Sequence, residues 1–423
     1  MTPETVLGVD IGTSATKAVL VDLDGRVLAR ARREHGLDLP APGWVEHDAE
    51  AVWWQEFVSV CQELAPRAQG GLRAVGVSGI GPCVVPCDAN LHPLRPAILY
   101  GVDTRAAREI DELEELLGAG QILARGGSNL SAQALGPKLL WLRRNEPELW
   151  ERAAGWYMAS SFIAARLTGA YVLDHHSASQ CDPFYDLQRG EWAEDWVRQV
   201  LGPLPMPELL WPSEQAGIVT PAAAQATGVP AGTPVVTGTI DAWAEGLSAG
   251  VRHPGDLMVM YGSTMFFVQV ADGAAPQQLL WTTQGVERGT QTLSGRDGHL
   301  GLTDRVAAAA RGRSRLGGPG GPGGRLTGRR SGAPDAPLLR RRAHAYPRPA
   351  SARRDRRADP APRCWRPVAF RLRGDCLWHT ADPRAAAPGR CTAQARGRRG
   401  WWHQLRPLAA DRQRRHRGDA ADP

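Results

Sequence analysis

Apolar residues in the first thirty positions fall in short alternating runs separated by polar turns, a pattern of strands rather than helices. Val6–Val9 reads as a buried strand, Asp10-Ile11-Gly12-Thr13-Ser14 as a turn, and Thr16–Val21 as a second strand. Asp22–Gly25 makes a hairpin turn, and Arg26–Ala29 opens a third strand. Helical spacing first appears at Ala49–Leu64, with Asp48 as its N-cap. It returns at Ala106–Leu117, Lys138–Ala154, Trp156–Leu167 and Glu194–Leu201. Strands are predicted at Leu72–Val77, Cys83–Cys87, Pro234–Thr239 and Asp256–Met260, and a helix opens at Ile240–Gly246. Three strands followed by alternating helices and strands predict an α/β layered domain. Ligands of such sheets gather at strand ends, where Asp10, Ser78, Asp103, Asp241 and Ser263 all stand.

An acid closing a buried strand, followed at once by Gly12-Thr13-Ser14, collects backbone N–H groups and hydroxyls around one concavity. That arrangement suits phosphate oxygens and a carboxylate-held Mg²⁺, although the four residues Asp10–Thr13 alone read equally well as a solvated hairpin. At 423 residues the chain has room for two domains with cores of their own. Its net charge of +6 hides a division. Residues 1–295 carry 20 basic and 34 acidic side chains, whereas residues 296–423 hold 30 arginines and 10 aspartates with no Lys, Glu, Ile or Asn. The chain is thus an acidic body joined to a basic tail. The seven cysteines show no paired spacing and read as free thiols of a reducing compartment. No apolar run reaches the length of a membrane span and no leader pattern is seen, so a soluble, cytoplasmic protein without a membrane partner is expected.

Five stretches, in order, resemble the FGGY family of carbohydrate kinases, most closely its xylulokinase branch. They are Gly8-Val9-Asp10-Ile11-Gly12-Thr13-Ser14, Pro42-Gly43-Trp44-Val45-Glu46-His47-Asp48, the Asp103–Ala106 turn, Gly238-Thr239-Ile240-Asp241-Ala242, and Tyr261-Gly262-Ser263-Thr264. The resemblance covers about residues 4–295. It implies an actin-like, ribonuclease-H-like fold with a sugar-side domain over 4–248 and the first strands of an ATP-side domain over 249–295. It further implies ATP and Mg²⁺ as cofactors and a sugar or polyol hydroxyl as phosphoryl acceptor. Asp241 matches the catalytic base, with capping of its own helix as the rival role. Asp10 would hold Mg²⁺ directly or through water. Gly12, Thr13, Ser14, Gly262, Ser263 and Thr264 would meet the phosphates. Ser78, Gly81, Pro82, Asp103 and Arg105 would join Asp241 at the sugar, with a surface ion pair as the rival role for Arg105. Trp44, Trp53 and Trp54 read as core in preference to a sugar platform. Two departures bear on the substrate. Ser78-Gly79 is followed by Ile80-Gly81-Pro82-Cys83 in place of the branch's Met-His pair, and Gly101 stands where the family has Trp.

The tail fits no second kinase domain. Gly317–Gly324 is a Gly/Pro run, arginines cluster at Arg340–Arg342, Arg353–Arg357 and Arg412–Arg417, and no helical or strand period is sustained. At face value this is a disordered segment able to contact nucleic acid non-specifically through phosphates. A shifted reading frame explains it better. Moved one base forward, with GC-rich codons, Arg296–Val306 becomes compatible with GMATSGSLTGW, and Trp401–Arg417 with GGTNSGPWLQIVSDVTG. Trp401 and Trp402, with one codon each, both give the required glycines. The expectation is a one-base insertion near Arg296 that leaves a sugar kinase by descent, impaired by loss of most of its ATP-side domain. An actin-like ATPase or sugar-binding regulator is the alternative, and a homodimer is left open.

Overall fold

The computed structural model describes residues 4–69, 71–261, 265–273, 275–296 and 368–371. Strands β1 (Thr5–Ile11), β2 (Ala15–Asp22) and β3 (Val27–Glu34) form the antiparallel meander that the alternation predicts. β1 buries every second residue, with Leu7, Val9 and Ile11 in the core. β4 (Leu72–Gly79) runs parallel to β1, so that Asp10 faces Ser78 and Ile11 faces Gly79. On the far side of β4, β5 (Gln215–Ile218) and β6 (Pro234–Val236) extend the sheet, and β7 (Thr239–Ile240) also pairs with β4 in parallel. The predicted single strand Pro234–Thr239 is thus two short strands. The break falls at Gly238, whose φ of +75° is left-handed and where a Cβ would lie 2.0 Å from the Val77 carbonyl oxygen. Only glycine lets the chain pass that closely.

Helix α1 (Gln55–Leu64) packs Phe57, Val60, Cys61 and Leu64 against the meander, continuing a wider turn over Ala49–Trp54 that Asp48 caps. Helix α2 covers Ala107–Leu117. The predicted helix Lys138–Ala154 divides into α3 (Gly136–Asn145) and α4 (Pro147–Arg152). Pro147 has no N–H for the ladder and pushes Glu146 out of helical geometry, to φ −132° and ψ 57°. The predicted helix Trp156–Leu167 starts later, as α5 (Ala159–Thr168). Gly155–Tyr157 is instead a buried strand paired with Val85–Cys87, because a short apolar run carries no periodicity to separate the two states.

Helix α6 (Asp241–Ser248) follows β7 directly. A second antiparallel sheet is built from β8 (Asp256–Tyr261), β9 (Met265–Ala271), β10 (Trp281–Gln284) and β11 (Gln291–Arg296), with β12 (Val368–Arg371) pairing along β8. Trp243 of α6 joins this sheet through its indole N–H to Thr292 Oγ1 at 3.1 Å, and His176 Nδ1 lies 2.7 Å from the Gln284 carbonyl oxygen. Within the stretch read as tail, the described residues are Arg296 and Val368–Arg371; the arginine clusters and the Gly/Pro run lie outside the described residues. No helix among the described residues is long and apolar enough to cross a membrane. Cys61, Cys83, Cys87 and Cys181 are buried free thiols.

Candidate functional site

β1 and β7 flank β4, both parallel to it, so the residues that end them arrive side by side. Asp10 sits one residue before the end of β1, and Asp241 is the first residue after β7. Asp10 Oδ1 accepts from Ser78 Oγ at 2.9 Å, and its Oδ2 lies 3.4 Å from Lys17 Nζ on β2. Asp241 Oδ1 accepts from the adjacent Ala242 N–H at 2.7 Å. The cap position itself is occupied by Ile240, so Asp241 does not cap α6 in the usual way. Buried Asp174 accepts from Thr239 Oγ1 at 2.8 Å and fixes the strand that delivers Asp241.

A cavity of about 280 Å³ opens here, lined by Ile80, Gly81, Tyr100, Gln133, Ile240, Asp241, Ala242, Trp243, Glu245, Met260, Phe266 and Trp281. Its walls are mostly aromatic and aliphatic, with two carboxyl groups and one amide. Burial, reinforced by the negative charge of Asp10, pushes the Asp241 carboxyl up to about 8. Burial and Asp10 raise Glu245 in the same way, while Lys17 pulls both back. Asp10, Asp241 and Glu245 therefore share one electrostatic neighbourhood, which a bound cation or a proton would relieve.

The Gly12-Thr13-Ser14 turn is held from behind. Thr13 Oγ1 and the Tyr100 hydroxyl are 3.0 Å apart, and His35 spans from the Gly12 carbonyl oxygen, at 3.0 Å, to Glu56, at 2.9 Å. His47 is buried against His35 and accepts from the Trp53 indole N–H at 3.2 Å; burial, then the neighbouring His35, lowers it to about 4. Trp53 and Trp54 are core residues.

Asp103 and Arg105 are placed differently from the cavity residues. Their side chains are fully buried and paired with each other at 2.7 Å, and Arg105 also pairs with Glu46 at 2.8 Å. The guanidinium lies 4.0 Å from the Trp44 ring centroid and 5.1 Å from that of Trp141, while Asp103 Oδ2 accepts from Val45 N–H at 2.7 Å. The two matching stretches around Trp44 and Asp103 thus lock onto each other, and the surface ion pair considered for Arg105 is a buried one. Of the other residues expected at the sugar, Gly81 lines the cavity, Ser78 donates to Asp10 and does not line it, and Pro82 is buried beside Gly81. Gly262, Ser263 and Thr264 lie outside the described residues. Sequence reasoning missed Gln133, Glu245, His35, Asp174 and Lys138. Lys138 and Lys17 are the chain's two lysines, and Lys138 is buried, donates to the Ala132 carbonyl, and is lowered by that burial to about 8.

Residues 5–247 match the FGGY family of carbohydrate kinases, N-terminal domain. The chain belongs to that family. It is 29% identical over 269 residues to the xylulose kinase of Escherichia coli (strain K12), a match covering 63% of this chain and 54% of that protein. To the glycerol kinase of Nocardia farcinica (strain IFM 10152) it is 31% identical over 271 residues, covering 62% of this chain and 53% of that protein. The crystal structure of xylulose kinase from Rhodospirillum rubrum superposes with a TM-score of 0.66 at 31% identity, covering 74% of this chain and 65% of that one. The α/β architecture is the actin-like, ribonuclease-H-like fold of the FGGY sugar kinases. The chain spans about half the length of the curated relatives it matches.

Proposed function

We propose that this FGGY chain descends from, and carries the sugar-side machinery of, an ATP-dependent kinase that phosphorylates a hydroxyl of a sugar or polyol, similar to a xylulokinase. The observation that supports it best is the pairing of Asp10 and Asp241 on strands flanking β4, with Asp241 opening on the cavity. Phosphoryl transfer demands positioning and charge neutralisation more than covalent chemistry. Asp241 acts as the carboxylate, the minor form below about pH 8, and as the O–P bond forms it accepts the proton of the attacking hydroxyl, so turnover should rise with pH through that range.

Asp10 fits a magnesium site of the kind that uses one or two carboxylates together with phosphate oxygens and water. Its Oδ2 faces Lys17 and remains partly exposed, and no three ligating side chains converge among the described residues. When bound, Mg²⁺ neutralises phosphate charge. The Gly12–Ser14 turn is assigned to the phosphates, although the Gly12 N–H is itself bonded to the Ala15 carbonyl at 3.1 Å, and Gly262, Ser263 and Thr264 are assigned to the ATP side. In this reading residues 4–248 are the sugar-side domain and 249–295 begin the ATP-side domain.

The test is ADP formation from MgATP with and without a panel of pentuloses, xylitol and glycerol. Polyol-dependent release supports the kinase. Release at one rate regardless of polyol supports an actin-like ATPase instead and removes sugar phosphorylation from the account.

A further inference from the structure

Gln133 reaches the cavity from a loop that carries none of the recognised stretches. The Gly101 N–H donates to Gln133 Oε1 at 3.2 Å, and a Cβ at Gly101 would come within 2.5 Å of that same oxygen. A backbone N–H can only donate, so it selects the amide's oxygen and turns the NH₂ the other way. Among the described residues, that NH₂ has no acceptor. The loop beneath it is tied by hydrogen bonds. Gln133 N–H donates to Ser131 Oγ at 3.2 Å, Ala134 N–H donates to the Ser131 carbonyl at 3.0 Å, and buried Lys138 donates to the carbonyl of Ala132.

We propose that Gln133 is a specificity-determining residue whose NH₂ donates to an oxygen of a neutral polyol or ketose in this cavity, in space that only glycine at position 101 leaves for it. The assignment rests on the sugar-kinase reading above. Neutrality follows from the walls: the acids lining the cavity are Asp241 and Glu245, and among the described residues no basic side chain lines it, so a sugar acid would find no counter-ion there. An aromatic and aliphatic wall opposite a few fixed polar groups suits a ligand with one apolar face and directed hydroxyls. A pre-oriented amide donor discriminates strongly, because a ligand without the matching acceptor leaves it unpaired.

The test is isothermal calorimetry of the full chain with D-xylulose, xylitol and D-gluconate, on wild type, Q133A, Q133E and G101A, with thermal midpoints confirming that each variant is folded. Wild type should bind a neutral ligand at least about tenfold more tightly than D-gluconate. Q133A should weaken the neutral ligand by about three- to tenfold, the scale of one hydrogen bond to a neutral group. Q133E, which keeps the shape but loses the donor, should weaken it at least as much. G101A should resemble Q133A, since its methyl displaces the amide. Unchanged affinity in folded Q133A and Q133E, with wild type binding normally, overturns the role of Gln133. D-gluconate bound as tightly as the neutral ligands overturns the neutral class. Wild type binding none of the three overturns the sugar-kinase reading itself.

Discussion

Asp241 is a destabilising residue to keep in a folded chain. Its carboxyl moves from an ordinary value of 3.8 to about 8 through burial and the charge of Asp10. Between those values the folded chain holds a proton that the unfolded chain has released. The stability this group contributes is therefore fully present below about pH 4 and is lost as pH rises through about 8. Asn cannot ionise. Thermal unfolding of D241N should match wild type near pH 4 and show a growing advantage for the variant up to about pH 8. Parallel curves across that range would mean that Asp241 is not confined beside Asp10. The same substitution removes the proposed base, so stability and turnover should move in opposite directions, as at many strained functional sites.

At the scale of elements, the buried pairing of Asp103, Arg105 and Glu46 ties the segment around Trp44 to the turn before α2. Removing one partner of a buried charged pair leaves the others uncompensated, and R105A should lose ~3–5 kcal/mol in urea unfolding. A folded R105A of wild-type stability with altered sugar affinity would instead make Arg105 a direct sugar contact. The meander β1–β3 was legible because period-two alternation reports a half-buried sheet directly, and Asp10 and Asp241 were legible because strand ends collect chemistry. The apolar run Gly155–Tyr157 was not, since three buried residues show no period. Nor were Gln133, Glu245 and His35, which matter through partners that only the folded chain brings near. The burial of Arg105 was hidden for a related reason: its partner Glu46 and its stacking partner Trp141 lie far away in sequence.

At the scale of the molecule, an acidic body holding the sheet of β1–β7 precedes 128 residues of which 296 and 368–371 are described. The shifted-frame proposal predicts one extra base near codon 296 when the coding DNA is read again across codons 290–300. An unbroken frame through that window would make the arginine-rich tail genuine. Whichever holds, the central claim concerns Asp241 as the group that takes the proton of a sugar hydroxyl. The most direct measurement is transfer of the γ-phosphoryl of ATP to the preferred polyol by wild type and D241N in the frame-restored chain, each shown to be folded. The account predicts a loss of about 10²–10⁴-fold in kcat for D241N. Transfer by D241N at the wild-type rate would contradict it.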